Sequence, residues 1–256
     1  MIRAVQLTHR YGPVVALEDI GFEVAEGECV GLVGPSGAGK STLLRILNGF
    51  LRPTSGCVEI GDLELGRLNR AGLRRLRADV GIVYQQFHLV RRSSALTNAL
   101  SGAVSRTGTL ATWAGRVNRD ERRRALEALD RVGLLERWDQ RAETLSGGQQ
   151  QRLAIARTLV HGARYLLADE PVASLDPGSS ERLMQLLVNI AKEDGRTILV
   201  SLHQVDLAIR HCDRIIGLQH GKVVLDTPTT SLTTGMTDAL YSVPVDAVRL
   251  AHEVAV

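Results

Sequence analysis

The chain of 256 residues lacks several features that would place it in a special class of protein. Its three cysteines, Cys29, Cys57 and Cys212, form no CxxC pair and no disulfide framework, which is typical of a reducing compartment. No apolar run approaches the roughly 18 residues of a membrane-spanning helix, and residues 1–10 contain no apolar segment of the kind found in secretory signals. We therefore expect a cytoplasmic chain that can reach a membrane only as a peripheral protein.

Aromatic residues and lysines are also scarce. Phe, Trp and Tyr make up 4% of the chain, so the core must be aliphatic, and lysine occurs only at Lys40, Lys192 and Lys222. The formal net charge of +3 is too small to indicate a nucleic-acid partner, and we predict none. The hydrophobic share of 44% and the charged share of 23% are ordinary for a globular protein, which excludes bulk disorder and a fibrous repeat.

The chain does carry an alternation of strand and helix signals, which predicts an α/β fold. Cys29–Val33 is a short apolar run that ends in a glycine, as a buried strand does, and residues 41–48 have apolar positions at helical spacing. Residues 1–30 alternate polar and apolar side chains and predict short strands of a meander. Further strands are predicted at 57–60, 80–84, 165–168, 197–202, 215–218 and 222–225, and further helices at 68–77, 119–135, 146–160, 180–193 and 205–211.

A glycine-rich segment between the first buried strand and its helix matches the pattern GxxxxGK[ST]. Glycines let backbone N–H groups converge on phosphate oxygens, and the start of the helix adds partial positive charge. In such a loop the lysine reaches the β- and γ-phosphates and the following hydroxyl binds Mg²⁺. A plain glycine-rich turn is the alternative, but it does not account for the lysine. The predicted phosphate-binding residues are Gly34, Pro35, Ser36, Gly37, Ala38, Gly39, Lys40, Ser41 and Thr42.

Two acidic residues follow the predicted strand at 165–168, at the edge of a parallel sheet where ligands bind. Asp169 can hold Mg²⁺ directly or through water, and Glu170 can orient and polarise an attacking water. Alone, an apolar run followed by two acids is often only the end of a strand. The phosphate loop upstream is what makes the pair a candidate for metal binding and catalysis.

Residues 145–152 read Leu-Ser-Gly-Gly-Gln-Gln-Gln-Arg. Ser146 and Gln149 have the spacing of a helix capping box, which is the purely structural alternative for this motif. That alternative does not require Gly147 and Gly148, which would expose backbone N–H groups as a second anion site. One nucleotide does not need two such sites on one domain. We therefore predict a dimer in which this loop of one subunit closes on the nucleotide of the other.

The phosphate loop, residues 145–149 (LSGGQ) and residues 166–170 (LLADE), in that order along the chain, resemble the motifs of the ABC (ATP-binding cassette) ATPase family, over about residues 1–242. The resemblance implies a P-loop NTPase (RecA-like) core with an antiparallel β subdomain and an inserted α-helical subdomain at about 87–160. It leaves the tail 243–256 without an assigned role. It implies ATP and Mg²⁺ as cofactors.

The resemblance also assigns roles to four single residues. Tyr11 would stack on adenine, and Gln85 would touch Mg²⁺ and sense the membrane partner. Asp176 lies in the segment that bridges the dimer in this family. His203 would contact the γ-phosphate and support catalysis.

Within the family, residues 85–90 (QQFHLV), 201–208 (SLHQVDLA) and an insert around Trp113 most resemble the ATPase subunit of phosphonate importers, whose relatives serve phosphite and other reduced phosphorus compounds. Tyr84 and His88 depart from that group, where Phe and Asn are common. The implied partners are a second copy of the chain, integral membrane permease subunits and, indirectly, a substrate-binding protein. The implied location is the cytoplasmic face of the inner membrane.

Three alternatives to a phosphonate importer stay open at this point. The first is the ATPase subunit of another ABC transporter, such as an amino-acid importer, from which the run around His203 and the insert near Trp113 distinguish the chain. The second is an ABC protein acting on nucleic acid, which usually has two cassettes or a long coiled coil. The third is another P-loop protein such as a kinase, which would not need residues 145–149.

Overall fold

The computed structural model describes residues 1–104 and 118–241. The predicted insert around Trp113 and the tail 243–256 therefore lie outside the described residues. Within them, the strands are β1 (Ile2–Tyr11), β2 (Val14–Val24), β3 (Cys29–Val33), β4 (Ser55–Ile60), β5 (Leu63–Glu64), β6 (Val80–Val83), β7 (Tyr165–Asp169), β8 (Thr197–Leu202), β9 (Arg214–Gln219) and β10 (Lys222–Pro228). The helices are α1 (Lys40–Leu47), α2 (Arg70–Asp79), α3 (Ala95–Leu100), α4 (Arg119–Arg131), α5 (Gly147–His161), α6 (Pro177–Asp194), α7 (Val205–His211) and α8 (Thr234–Tyr241).

A mainly parallel sheet forms the centre of the fold, in the order β10-β9-β3-β8-β7-β6. Its central strands β3 and β8 are buried along their whole length, which explains why they read as continuous apolar runs. Strand β10 is antiparallel to β9, and the two form the predicted hairpin around Gly221. All the parallel strands end at one edge, so the residues that follow them come close together.

The second sheet is antiparallel and has the order β2-β1-β4-β5. The alternating pattern of residues 1–30 predicted short strands, but β1 and β2 are a single long hairpin of 10 and 11 residues. Register shifts along β1, where Gln6 has a positive φ of 47°, let the strands continue through positions at which the alternation breaks. The α/β class with a separate antiparallel sheet is confirmed.

Two helices, α3 and α8, were not predicted from the sequence. Helix α3 lies in a stretch of weak pattern, where Ser94 caps its N-terminus and the buried Asn98 amide bonds the backbone of Val90 at both N–H and C=O. The short helix α8 follows the terminal hairpin and touches β9 and β10. Helices α3, α4 and α5, which lie between β6 and β7 along the chain, contact one another. No helix of the described residues is both long and apolar enough to span a membrane.

Aliphatic side chains fill two cores on opposite faces of the parallel sheet. One core lies against the antiparallel sheet and α1, and the other lies against α3 to α7. Among Phe, Tyr and Trp residues that the structure describes, only Phe22 and Tyr165 are buried, as the composition predicted. The phosphate-loop helix is thus anchored by apolar packing, with Leu43, Leu44, Ile46 and Leu47 all fully buried.

Replacement of Leu44 by alanine tests this anchoring. The Leu44 side chain is fully buried in the core beneath the antiparallel sheet, so Leu44→Ala should lower the free energy of unfolding by roughly 2–5 kcal/mol. Val14→Ala, at a position that is 62% exposed, should change it by less than about 0.5 kcal/mol. Denaturant unfolding measures both variants, and equal losses would contradict the described packing.

Candidate active site

The loop from Gly34 to Gly39 joins β3 to α1 and turns its backbone inward. Gly34 has a φ of 149°, and a Cβ at this position would overlap the carbonyl oxygen of Leu218. Gly39 caps α1 in the left-handed conformation with a φ of 106°, where a Cβ would lie 2.8 Å from the Ala16 carbonyl oxygen. Only glycine fits both positions. The Gly221 N–H, in the hairpin of β9 and β10, stabilises the loop by donating a hydrogen bond to the Ala38 carbonyl at 3.1 Å.

Lys40 is buried inside this loop, with 4% of its surface exposed. Its Nζ donates to the carbonyl oxygens of Gly34 at 2.7 Å and Pro35 at 3.1 Å. Burial lowers the pKa of Lys40 from its ordinary value, and the carboxylates of Glu170 and Asp169 oppose that shift. A phosphate group in the loop would give the buried ammonium group an anionic partner at hydrogen-bond distance, in place of the two carbonyl oxygens.

Asp169 ends β7 and connects it to two neighbouring elements. Its Oδ1 accepts one hydrogen bond from the Ser41 hydroxyl at 3.0 Å and another from the Ser201 hydroxyl at 3.0 Å. Ser41 lies in the first turn of α1 and Ser201 lies near the end of β8. The carboxylate is therefore fixed in direction beside the phosphate loop.

Glu170 follows at once and adopts a positive φ of 48°, which is uncommon for a residue other than glycine. Its backbone N–H donates to the Ser201 hydroxyl at 2.9 Å. Its Oε1 lies 2.6 Å from Nε2 of His203, the residue directly after β8. The turn thus directs the Glu170 side chain toward His203, and the Tyr241 hydroxyl donates to the His203 carbonyl at 2.9 Å.

The phosphate loop, Glu170 and His203 line one cavity of about 280 Å³, with Ala16 on its wall. Of the predicted site residues, the cavity brings together Ser36, Gly37, Ala38, Gly39, Lys40, Ser41, Thr42, Glu170 and His203. Lysine, a helix N-terminus and turned backbone N–H groups favour an anion with several phosphates. The adjacent Glu170 carboxylate can accept a proton from water.

Four residues of the Leu-Ser-Gly-Gly-Gln motif, Ser146 to Gln149, line a different cavity, of about 640 Å³. Ser146 and Gln149 do form a capping box, with the Ser146 N–H donating to Gln149 Oε1 at 2.9 Å. Gly147 has open space around it, with no atom within 4 Å of where its Cβ would lie. The two cavities have no lining residue in common.

Three arginines and one aspartate line this second cavity, and one of the arginines, Arg131, is paired with Glu193 and Asp194. Arg131, Arg152 and Arg182 line it, and burial together with the nearby Arg182 and Arg137 lowers the pKa of Arg152. Asp176 also lines it and caps α6 by accepting the Ser179 N–H at 2.9 Å. Hydrogen bonds from Ser179 lower the pKa of Asp176. The cavity suits an anion supplied from outside the chain.

Tyr11 and Gln85 line neither of these two cavities. Tyr11 ends β1 with 44% of its surface exposed, and its ring meets the edge of the His9 ring at 4.7 Å. Gln85 is exposed and follows β6, whose Val83 pairs with Ala168, so it leaves the sheet at the same edge as Asp169. Their predicted contacts with adenine and Mg²⁺ stay predictions.

Sequence reasoning missed the contributions of Ser201 and Tyr241. Ser201 carries a signal that could have been used, because a serine interrupts a strand that is otherwise apolar at its carboxyl end. Tyr241 carries none, because it reaches His203 only through the packing of α8.

Residues 17–173 match the ABC transporter family. The chain is 45% identical over 252 residues to the phosphonates import ATP-binding protein PhnC of Stutzerimonas stutzeri, covering 96% of this chain and 91% of that protein. It is 47% identical over 247 residues to PhnC 2 of Pseudomonas savastanoi pv. phaseolicola, another phosphonates import ATP-binding protein, covering 93% and 88%.

Among solved structures, the fold is similar to a dimeric post-hydrolysis state of the ATP-binding cassette MJ0796 bound to ADP and Pi. The TM-score is 0.78 and the sequence identity 35%, with 91% of this chain and 100% of that chain covered. This likeness confirms the predicted fold class. The predicted resemblance to phosphonate-importer ATPases is confirmed by the curated relatives.

Replacement of Gly34 by alanine tests the geometry of the phosphate loop. Gly34→Ala should weaken ATP binding by about tenfold or more, because overlap with Leu218 and a strained φ together displace the loop. Gly21→Ala is the matched control, since a Cβ at Gly21 meets no atom within 4 Å. Equilibrium binding of a fluorescent ATP analogue measures both. Unchanged affinity in Gly34→Ala would show that the loop tolerates a side chain.

Proposed function

The chain belongs to the ABC transporter family, and on that premise we propose that it is the ATP-hydrolysing subunit of an importer for phosphonates or related reduced phosphorus compounds such as phosphite. The ATPase activity is carried by one observation, the cavity in which Lys40, Glu170 and His203 meet the phosphate loop. The substrate class is supported by the relatives, which are named as phosphonates import proteins and cover more than nine-tenths of the chain. These names favour a phosphonate importer over the amino-acid importer.

Hydrolysis of ATP requires mainly positioning and stabilisation of charge on the transferred phosphoryl group. We assign the binding of the β- and γ-phosphates to the loop backbone and to Lys40, whose burial strengthens its attraction to an anion. Glu170 holds and polarises the attacking water. His203, whose Nε2 lies 2.6 Å from the Glu170 carboxylate, is placed to contact the γ-phosphate and to support the charge that develops there.

The donor atoms beside the phosphate loop fit Mg²⁺. The Ser41 hydroxyl and the Asp169 carboxylate are hard oxygen ligands at hydrogen-bond distance from each other, and Gln85 is the third proposed ligand. The described residues contain no cluster of three His, Cys, Asp or Glu residues that could cage a metal. A small set of oxygen donors such as Ser41 and Asp169 suits Mg²⁺, which typically uses one or two protein oxygens together with phosphate and water. When bound, Mg²⁺ neutralises charge on the phosphates.

The separation of the two cavities supports a dimer as the active unit. In one copy, Ser146, Gly147 and Gly148 do not line the cavity of the phosphate loop. A second copy in head-to-tail arrangement would bring its exposed helix N-terminus and basic cavity to the γ-phosphate. Gln149 and Asp176 would lie at that interface, and Tyr11 would stack on the adenine. Two copies would then enclose two ATP molecules.

The proposed domain, residues 1–242, would act at the cytoplasmic face of the inner membrane as a peripheral subunit. Its helical subdomain, about 87–160, would transmit closure of the dimer to integral permease subunits. Among the described residues between β6 and α4, Val90, at 60% exposure, is the most accessible large apolar side chain, and we place the docking surface for a permease subunit there. An external binding protein and the permease would select the phosphonate, which this chain would not contact.

Glu170→Gln should separate ATP binding from hydrolysis. Loss of the carboxylate removes the group that polarises water, so hydrolysis should fall on the order of 100-fold or more while ATP binding remains. The trapped ATP should shift the chain from monomer to dimer in size-exclusion chromatography. Glu127→Gln, an exposed position on α4, should change neither property. Hydrolysis at the parent rate in Glu170→Gln would remove Glu170 from its proposed role.

Growth on a defined phosphorus source tests the substrate class. Deletion of the gene should abolish growth on phosphonate or phosphite but not on phosphate. The parent gene and the exposed control variant Lys192→Ala should restore growth, whereas Lys40→Ala should not, because the loop then lacks its buried ammonium group. Normal growth of the deletion strain on every source, with no redundant importer, would leave the ATPase in place and refute the phosphonate assignment.

A further inference from the structure

A single buried hydroxyl, that of Ser201, connects the two acidic residues of the site. Ser201 has no exposed surface. Its Oγ donates to Oδ1 of Asp169 at 3.0 Å and accepts the backbone N–H of Glu170 at 2.9 Å. Both the proton and a lone pair of this hydroxyl are therefore used, and both partners belong to the proposed catalytic turn.

The hydrogen bond from the Glu170 N–H to the Ser201 hydroxyl supports an unusual backbone turn at Glu170. Glu170 has a positive φ of 48°, a conformation that persists in a non-glycine residue only when the surroundings enforce it. Ser201 lies opposite Asp169 in the register of β7 and β8, so its hydroxyl is held directly beside the Glu170 backbone, which has the positive φ. The partner that it gives to the Glu170 N–H therefore favours the turn that aims the carboxylate at His203.

The same hydroxyl also fixes the direction of the Asp169 carboxylate. Ser41 in α1 and Ser201 in β8 both donate to one oxygen, Oδ1. Two donors on one oxygen prevent rotation of the carboxylate, as second-sphere hydrogen bonds do for other metal ligands. Alanine at 201 would remove one of these donors, and the gap left by one oxygen atom in a closed core is too small for a water molecule to replace it.

We propose that Ser201 is a positioning residue for ATP hydrolysis, which sets the Asp169 carboxylate for Mg²⁺ and the Glu170 carboxylate for the attacking water. The inference rests on the roles proposed above for Asp169 and Glu170. It adds a specific requirement, namely that the residue opposite Asp169 in β8 carries a small hydroxyl side chain. Ser201 acts through these two residues and does not touch the nucleotide.

Steady-state kinetics of Ser201→Ala test this role. The turnover number should fall by about tenfold or more, since small displacements of catalytic groups are costly, whereas KM for ATP should stay within about twofold. The Mg²⁺ concentration for half-maximal activity should rise. Ser201→Thr, which retains a hydroxyl, should recover most of the turnover. Rates are compared per folded molecule, with folding monitored by circular dichroism.

Thr197→Val is the matched control on the same strand. Thr197 is also buried and its hydroxyl also accepts a backbone N–H, from Gly27 at 3.1 Å, but it lies at the far end of β8. If Ser201 were merely structural, both variants would lose thermal stability and keep the parent turnover and Mg²⁺ dependence. That result would overturn the inference.

A parallel measurement of Glu170→Gln separates the two ideas. If Glu170→Gln is inactive and Ser201→Ala is fully active, the positioning role of Ser201 is overturned and the proposed function stays intact. Active Glu170→Gln overturns the proposed role of Glu170 and the inference with it. Inactive Glu170→Gln with slowed Ser201→Ala and unaffected Thr197→Val supports both.

Discussion

One carboxylate oxygen, Oδ1 of Asp169, accepts hydrogen bonds from two hydroxyl groups that belong to different elements. Ser41 brings the first turn of α1 to this oxygen, and Ser201 brings the end of β8. The phosphate loop, the acidic turn and the residue after β8 are thereby held at one edge of the parallel sheet. The junction therefore joins the helix that carries Lys40 to the turn that carries Glu170, whose carboxylate in turn meets His203.

Burial gives the junction its electrostatic character. Lys40 lies inside the loop, where its Nζ donates to the backbone carbonyls of Gly34 and Pro35, and its pKa is lowered because water is largely excluded. In a site of low polarity, attraction between an ammonium group and phosphate is stronger than in water. The loop can keep a charged group there because glycines at 34 and 39 let backbone dipoles approach where side chains would overlap. Packing of α1 against the aliphatic core holds the arrangement in place.

Much of this could be read from the sequence, and the successes have a common cause. The strand, loop and helix at 29–47 are encoded locally by apolar runs and glycines, so their order and approximate bounds were predictable. The partners of Ser201 were not, because β7 and β8 are neighbours only through sheet topology. Helices α3 and α8 are short, and α3 has only six residues, among them the buried Asn98, which is too few to show a clear period in the sequence. The long hairpin of β1 and β2 was predicted as shorter strands because register shifts interrupt its alternation.

The phosphate loop and the glycines at 147 and 148 line separate cavities, and we therefore propose that one complete active site requires two chains. The most direct test mixes two inactive variants and measures ATP hydrolysis. Lys40→Ala removes the ammonium group of the phosphate loop, and Gly147→Asp places a repulsive carboxylate at a position with open space and a helix start, where it should not disturb folding. A mixed dimer contains one intact loop facing one intact partner helix, so the mixture should regain activity that neither variant has alone. A mixture as inactive as its folded components would contradict the two-chain site.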